Sequence, residues 1–284
     1  MAKYKSSKAA GLLIIVVVYL IAIGAGVVAF NRAEGLNPLV RLFEADFWAT
    51  VVVWFFGVLL RNSSVYDPYW SVAPPLLLTG YAVYCAAFNL PVFLMLIAVW
   101  FWGIRLTANW AYTFHNLQEE DWRYVMYRER CPKTWHLVNF FGINMMPTVV
   151  VFMAMIPAIL LVELDPIRTN IVFIFGYVIS VAATALQWEA DRQAHRFRRE
   201  NPGKVCSTGL WKSSRHPNYL GEILMWWGVA IMYVAFVPSH WYTIFGAVVV
   251  TCLFLFISIP MMEKRQMANK PEYAEYKKRT RVLF

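Results

Sequence analysis

The sequence has few residues of the types that build metal centres and disulfide frameworks. Only four of its 284 residues are cysteine and five are histidine. The cysteines show neither a C-x-x-C pair nor a metal-ligand spacing, so we expect thiols outside any disulfide and no metal site. Charged residues make up only 15% of the chain, and no polar stretch is long enough for a soluble domain of useful size. The four cysteines are Cys85, Cys131, Cys206 and Cys252.

Hydrophobic residues are abundant instead. They form 60% of the chain, aromatic residues form 17%, and the mean hydropathy is +0.49. These values are typical of polytopic membrane proteins. The run at 47–60 is short for a span, so the sequence predicts an all-α integral membrane bundle of seven or eight spans, as a single transmembrane domain over residues 1–284. The predicted spans are about 11–30, 47–60, 71–88, 91–114, 143–162, 170–190, 219–237 and 241–262.

The positive charge is distributed as expected for a membrane protein. The net charge is +9, and most of the 26 lysines and arginines fall in segments that share one side of the membrane if eight spans begin inside. The positive-inside rule predicts this asymmetry, so the charge favours a bilayer and not nucleic acid as partner. Both termini are then cytoplasmic, and Lys3, Lys5 and Lys8 precede the first span. The apolar run from Gly11 to Phe30 is too long for a cleavable signal, which favours a permanent span.

The segment 205–226 carries the densest set of polar side chains beside an apolar run. Pro217 suits the first position of a helix, and the backbone N–H groups that follow can bind an anion. Arg215, Lys212 and His216 are candidate sources of positive charge there. Further along this helix, the i, i+4, i+8 spacing places Asn218, Glu222 and Trp226 on one face. A carboxylate in a lipid-embedded helix indicates a functional site.

Two other positions extend this candidate polar site. Gln187, Asp191 and Arg198 recur at i, i+4 and i+11 near the end of the sixth predicted span, which predicts a wall for a polar ligand. Arg105 lies inside the fourth predicted span and needs a carboxylate or an anionic ligand as partner, unless its side chain snorkels to the inside surface.

Three further motifs have a structural explanation beside a functional one. Asp67 and Pro68 can cap the third predicted span, and a role for Asp67 in function is the alternative. The segment Asp121-Trp122-Arg123-Tyr124 suits either an interfacial aromatic belt or a ligand contact. Gly24-Ala25-Gly26-Val27-Val28-Ala29 matches a dinucleotide-binding pattern, but it lies within an apolar span and indicates close helix packing.

The polar motifs together resemble a known superfamily. The segment Gly209-Leu210-Trp211 followed by Arg215-His216-Pro217-Asn218-Tyr219-Leu220-Gly221-Glu222 is similar to the C-terminal signature of the steroid 5-alpha-reductase superfamily. Three other segments look like the bacterial branch of this superfamily, whose members are mostly of unassigned function. They are Gln187-x3-Asp191-x6-Arg198, Asp121-Trp122-Arg123-Tyr124 and Tyr273-x2-Tyr276. The resemblance covers about residues 60–284. Sterol reductases and the isoprenylcysteine and phospholipid methyltransferases share versions of the Arg-His-Pro-x-Tyr segment.

The resemblance implies a cytosol-facing NADPH pocket in a helical bundle. Asp191 and Arg198 would contact the adenosine or ribose phosphate, and Arg105 would bind phosphate. Glu222 would lie near the substrate. The remaining cofactor-site candidates are Gln187, Lys212, Arg215, His216, Asn218, Tyr219, Arg265 and Tyr276.

Trp102 departs from the family pattern, because eukaryotic steroid reductases have a tyrosine at this position that donates to the substrate carbonyl. Asp67, Tyr69 and Glu222 are therefore the candidate catalytic acids.

The predicted function is NADPH-dependent reduction of a C=C bond in a lipid-soluble enone, such as a 3-oxo steroid, a sterol or an isoprenoid-like compound. The alternative is a methyltransferase that uses S-adenosylmethionine on a lipid or prenylated substrate, and a non-catalytic lipid-binding protein is a second rival. The expected location is a bacterial inner membrane in preference to the endoplasmic reticulum.

Overall fold

Helices form throughout the computed structural model, which describes residues 6–283. Within these residues there is no β-strand, and the only extended pairing is an isolated bridge between Ser214 and Arg281. Lys3 and Lys5, which contribute to the predicted charge asymmetry, lie outside the described residues. The α-helices are α1 (Lys8–Arg32), α2 (Pro38–Leu60), α3 (Tyr69–Tyr84), α4 (Leu90–Thr113), α5 (Trp122–Arg130), α6 (Trp135–Leu137), α7 (Met146–Leu164), α8 (Ile171–Glu200), α9 (Leu210–Ser213), α10 (Pro217–Val234), α11 (Phe245–Leu253), α12 (Ile259–Asn269) and α13 (Tyr273–Arg279).

Four shorter helical segments connect or extend these helices. A 3-10 helix precedes α3 and another precedes α11, whereas a π-helix joins α6 to α7 and another joins α11 to α12. In chain order they are Ser63–Tyr66, Val138–Met145, Pro238–Ile244 and Phe254–Ser258.

Six helices of the described chain are long and apolar enough to cross a membrane. This confirms a multi-pass helical membrane protein, but it does not support the predicted count of seven or eight. The two other predicted spans fall on α3, with 16 residues, and on α10, with 18 residues. The six helices are Lys8–Arg32, Pro38–Leu60, Leu90–Thr113, Trp135–Leu164, Ile171–Glu200 and Pro238–Asn269.

Contacts divide the described residues into two compact units. The first unit combines the described part of Met1–Tyr84 with Leu106–Phe152, and the second combines Cys85–Arg105 with the described part of Met153–Phe284. The boundaries therefore run through α4 and α7. The single transmembrane domain stays a prediction.

In the first unit, α1 packs along α2, and a small residue allows their close approach. A Cβ atom built on Gly26 would lie 3.0 Å from the backbone oxygen of Ala45, whereas one built on Gly24 would have open space around it. The packing explanation of the glycine pattern is thus correct for Gly26 alone. A buried hydrophobic core of this unit includes Val18, Val53 and Val65.

In the second unit, α8 and α10 cross at two glycines. A Cβ atom on Gly176 would lie 2.8 Å from the oxygen of Gly228, and one on Gly228 would lie 2.6 Å from the oxygen of Gly176. One face of α10 repeats this contact at Gly221, where a Cβ atom would lie 2.6 Å from the oxygen of Ala183. Because the two backbones are in contact, the polar residues of α8 lie next to those in the first turns of α10.

Candidate functional site

The second unit contains a buried polar cluster formed by three helices. Arg105 from α4 donates from its two terminal nitrogens to Gln187 and Asp191, which lie one turn apart on α8. Asn218, in the first turn of α10, donates from Nδ2 to the other oxygen of Asp191 at 3.3 Å. Arg105 is only 7% exposed. Its side chain therefore does not snorkel to the surface, and four predicted cofactor-site residues lie together.

Two donors of this cluster remain unsatisfied. Arg105 Nε and Gln187 Nε2 are buried and have no hydrogen-bond partner within the described residues. A buried donor without an acceptor costs about 1–3 kcal/mol, so native proteins rarely keep one without a reason. The cluster can therefore accept a ligand that carries hydrogen-bond acceptors.

Glu222 lies on α10, one turn after Asn218, between two indoles. Trp102 Nε1 donates to both of its carboxylate oxygens at 2.9 Å, and Trp226 Nε1 donates to Oε1 at 3.0 Å. Asn218, Glu222 and Trp226 were predicted to share one helical face, and Glu222 and Trp226 are in direct contact. Trp102 therefore binds a carboxylate at the position where the resembled reductases have a phenol. This role was missed in the sequence, because the partner lies 120 residues away.

Arg215 is held by the C-terminal segment of the unit. Its Nε donates to Glu263 Oε1 at 2.7 Å, and its Nη1 donates to the backbone oxygens of Lys277 and Thr280. Lys277 Nζ contacts the other oxygen of Glu263 at 2.7 Å. This guanidinium thus connects α12 and the segment after α13 to the loop before α10. The sequence did not indicate Glu263 as the partner of Arg215.

His216 and Tyr219 stack beside the Arg215 ion pair. Their ring centroids lie 5.3 Å apart with planes at 10°, and His216 Nε2 lies 3.3 Å from Glu263 Oε1. Burial lowers the pKa of His216, and the hydrogen bond to Glu263 opposes this effect only in part. The shift favours the neutral imidazole over the positive charge suggested for His216. His216 is the N-cap residue of α10, and Pro217 occupies the predicted first position of this helix.

The N-terminus of α10 already satisfies part of its own backbone. Asn218 Oδ1 accepts a hydrogen bond from the N–H group of Tyr219 at 3.1 Å, and the oxygen of His216 accepts one from Leu220 at 3.0 Å. In the same region, Tyr276 donates from its hydroxyl to the backbone oxygen of Trp211. Tyr276 thus fixes the loop before the helix.

Three predicted cofactor-site cations of this unit are exposed. They are Arg198, Lys212 and Arg265. Arg198 and Lys212 form no ion pair with a carboxylate of the described residues. Their charges are therefore available to an anionic ligand.

The first unit holds the other two candidate acids at separate positions. Asp67 does not cap α3: its dihedral angles are helical (φ −50°, ψ −43°), and α3 begins at Tyr69. Its carboxylate accepts a hydrogen bond from the hydroxyl of Tyr124 at 2.5 Å. Burial raises the pKa of Asp67 to about 7, although the hydrogen bond from Tyr124 opposes this shift. Tyr124 is thus a partner of a candidate acid.

Tyr69 is buried next to a carboxyl group that the sequence analysis did not single out. Its hydroxyl donates to Asp46 Oδ1 at 2.7 Å, and Asp46 is 5% exposed on α2. Arg41, Glu44 and Asp46 interrupt the apolar run, so the predicted span began only at residue 47 and Asp46 was missed. In the structure, α2 begins at Pro38.

Comparisons with known proteins identify a family. A family model described as a protein of unknown function, DUF1295, matches residues 53–280. An uncharacterized protein of Schizosaccharomyces pombe is 25% identical in an alignment 217 residues long that covers 67% of this chain and 63% of that protein. The matched part is therefore less than two thirds of the length of this relative. No solved structure matches the chain. Because the family model covers well over half of the sequence, the chain belongs to the DUF1295 family.

Proposed function

We propose that this protein is a membrane-embedded reductase that uses NADPH to reduce a C=C bond in a lipid-soluble enone, such as a 3-oxo steroid, a sterol or an isoprenoid-like compound. The buried cluster of Arg105, Gln187, Asp191 and Asn218 carries the proposal, because it combines a cation with two unsatisfied donors inside membrane-crossing helices. The similarity of these residues to the steroid 5-alpha-reductase signature supports the same reaction.

The residues of the second unit fit a phosphorylated dinucleotide. Arginine donates planar pairs of hydrogen bonds that match phosphate oxygens. Arg105 Nε and Gln187 Nε2 would donate to the ligand, while Arg198 and Lys212 would neutralise its phosphates at the surface. Asp191 would accept from a ribose hydroxyl. Arg215 and Tyr276 would act by holding the loop that carries this site.

The reaction needs a hydride at the β-carbon and an acid at the carbonyl oxygen of the substrate. NADPH, when bound, supplies the hydride. The chain supplies the acid from Asp67, Tyr69 or Glu222. The indoles of Trp102 and Trp226 hold Glu222 in one orientation by donating to its carboxylate oxygens. The membrane-crossing helices keep the site dry.

We further propose that α3 and α10 cross the membrane in addition to the six longer helices. Eight crossings place both termini in the cytoplasm and satisfy the positive-inside rule. The resemblance to the bacterial branch favours a bacterial inner membrane. In this orientation, the loops before α5 and α10 face the cytoplasmic nucleotide pool.

The decisive experiment is a ligand-binding comparison of two neighbouring arginines. Arg198 and Arg199 are both exposed on α8, but only Arg198 lies on the same helical face as Gln187 and Asp191. We expect Arg198→Gln to weaken NADPH binding by about tenfold or more, since a charge-assisted hydrogen bond contributes about 1.5–3 kcal/mol. Arg199→Gln should change the affinity less than about twofold, as expected for a solvated charge. The affinity is measured by thermal shift of the purified protein in detergent.

The same titration separates the reductase from the methyltransferase. S-adenosylmethionine has no phosphate, so a methyltransferase would be stabilised by this ligand, would ignore NADPH and would be indifferent to Arg198. Stabilisation by S-adenosylmethionine alone, or equal effects of the two arginine substitutions on NADPH binding, would contradict the proposal. A non-catalytic lipid-binding protein would respond to neither nucleotide.

A further inference from the structure

The first unit contains a cavity of about 200 Å³ between α1, α2 and α3. Its lining on α1 runs from Tyr19 to Phe30, a distance of about 16 Å at about 1.5 Å per helical residue. On α3 the lining runs from Tyr69 to Tyr81. The cavity is therefore long relative to its volume, which suits a chain-like molecule.

The chemistry of the lining selects an apolar ligand. None of the lining residues is charged, and their only polar side chains are three tyrosines, Tyr19, Tyr69 and Tyr81. A phosphate or carboxylate buried here would have no cationic partner among the lining side chains and would pay a large desolvation cost. The guanidinium of Arg41 is not part of the lining and packs over the ring of Phe30, 4.0 Å from its centroid. The cavity therefore excludes a charged headgroup and accepts a hydrocarbon chain.

One end of the cavity offers a polar contact. The rings of Tyr19 and Tyr69 meet edge to face there, with centroids 5.8 Å apart. Tyr19 donates its hydroxyl proton to the backbone oxygen of Val65 at 2.8 Å, and Tyr69 is hydrogen-bonded to Asp46. Each hydroxyl oxygen keeps acceptor capacity beyond these bonds. This end can therefore accept a hydrogen bond from a single hydroxyl group of a ligand.

The cavity also reaches the outer face of a membrane-crossing helix. Ile23 and Val27 line it, yet they are 42% and 55% exposed on α1. Because α1 is apolar enough to cross a membrane, this face contacts lipid chains. A ligand can therefore enter from the bilayer without passing through water.

From this geometry we infer that the cavity is a binding site for an aliphatic lipid with one terminal hydroxyl group, a long-chain or isoprenoid alcohol. The oxygen lies at Tyr69 and the chain extends towards Phe30. Tyr69 is also a candidate acid of the proposed reaction, but binding at this site requires no nucleotide and is tested separately from that reaction.

The test is photolabelling of the purified full-length protein with hexadecanol that carries a mid-chain diazirine, without nucleotide. We expect saturable labelling that maps to α1, α2 or α3 and is displaced by unlabelled hexadecanol. Gly80 lines the cavity, and a Cβ atom there would have open space, so Gly80→Leu should fill the cavity and abolish the displaceable labelling. Gly24 also has open space but does not line the cavity, so Gly24→Leu should label like the wild type.

A second variant tests the polar end. Tyr69→Phe should weaken displacement by hexadecanol about three- to tenfold, the effect of one lost hydrogen bond, and should leave displacement by hexadecane unchanged. Labelling of the wild type that does not saturate, or that maps outside α1–α3, overturns the inference whatever the variants do. Equal displaceable labelling of Gly80→Leu and Gly24→Leu also overturns it. NADPH binding to the same preparations reports separately on the reductase proposal.

Discussion

Two arginines of the second unit show how neighbours decide the role of a residue. Arg105 and Arg215 are both 7% exposed, and each forms an ion pair with a carboxylate, Asp191 and Glu263 respectively. Arg215 also donates to two backbone oxygens, so its donors are used for the fold. Arg105 keeps Nε unsatisfied and can bind a ligand. Sequence patterns identified both arginines as candidates, and only their partners separate the two roles.

Asp67 is expected to make stability depend on pH. Its pKa rises from 3.8 in the unfolded chain to about 7 in the fold. Between these values the folded protein binds the additional proton, so ionisation of the unfolded chain favours unfolding. Stability should therefore fall as the pH rises from about 4 to 7 and should level off above 7. The change of thermal midpoint with pH should be smaller in Asp67→Asn.

The side chains around Asp67 define the control. Asp121 raises its pKa, whereas Arg123, Ser64 and the hydrogen bond from Tyr124 lower it. Tyr124→Phe removes this hydrogen bond, so the pKa of Asp67 should rise further and the loss of stability should extend to higher pH. An identical pH profile for wild type and Asp67→Asn would show that the carboxyl group does not titrate in this range.

At the scale of helices, the glycine crossing of α8 and α10 positions the candidate site. Gln187 and Asp191 on α8 face Asn218 and Glu222 on α10 only because small residues bring the two backbones together. The helical spacing of both polar faces was predictable, since it depends on local geometry alone. Their contact with α4 was not predictable, because Arg105 and Trp102 lie far away in the sequence.

Gly228→Ala should destabilise the protein by about 1–3 kcal/mol. The new Cβ atom would lie 2.6 Å from the backbone oxygen of Gly176, and a backbone oxygen cannot move without shifting its helix. Gly24→Ala is the matched control, because Gly24 is helical with open space and alanine stabilises a helix by up to about 1 kcal/mol relative to glycine. Thermal unfolding in one detergent measures both. Equal midpoints for the two variants would contradict the close crossing.

For the whole molecule, the sequence predicted the membrane class and the positions of the apolar helices. Each of the eight predicted runs falls on helical residues. The start of α2 was wrong because buried polar residues conceal its first turns. The polar partners Asp46 and Glu263 were missed because the acceptor of a buried side chain depends on tertiary contacts.

The eight-span orientation gives opposite locations for two native cysteines. Cys85 follows α3 and should lie outside, whereas Cys131 follows α5 and should lie in the cytoplasm. In variants that retain one of these cysteines, a membrane-impermeant maleimide should label Cys85 in sealed spheroplasts and Cys131 only after lysis. If α3 does not cross the membrane, the labelling pattern reverses.

The tie at Arg215 has a consequence during biosynthesis. The backbone oxygen of Thr280, one of its acceptors, lies 65 residues later in the chain. At about 5–20 residues per second, the ribosome needs on the order of several seconds to produce this partner. During that delay the guanidinium must stay hydrated at the membrane surface, so the loop before α10 can close only after the downstream helices have been synthesised.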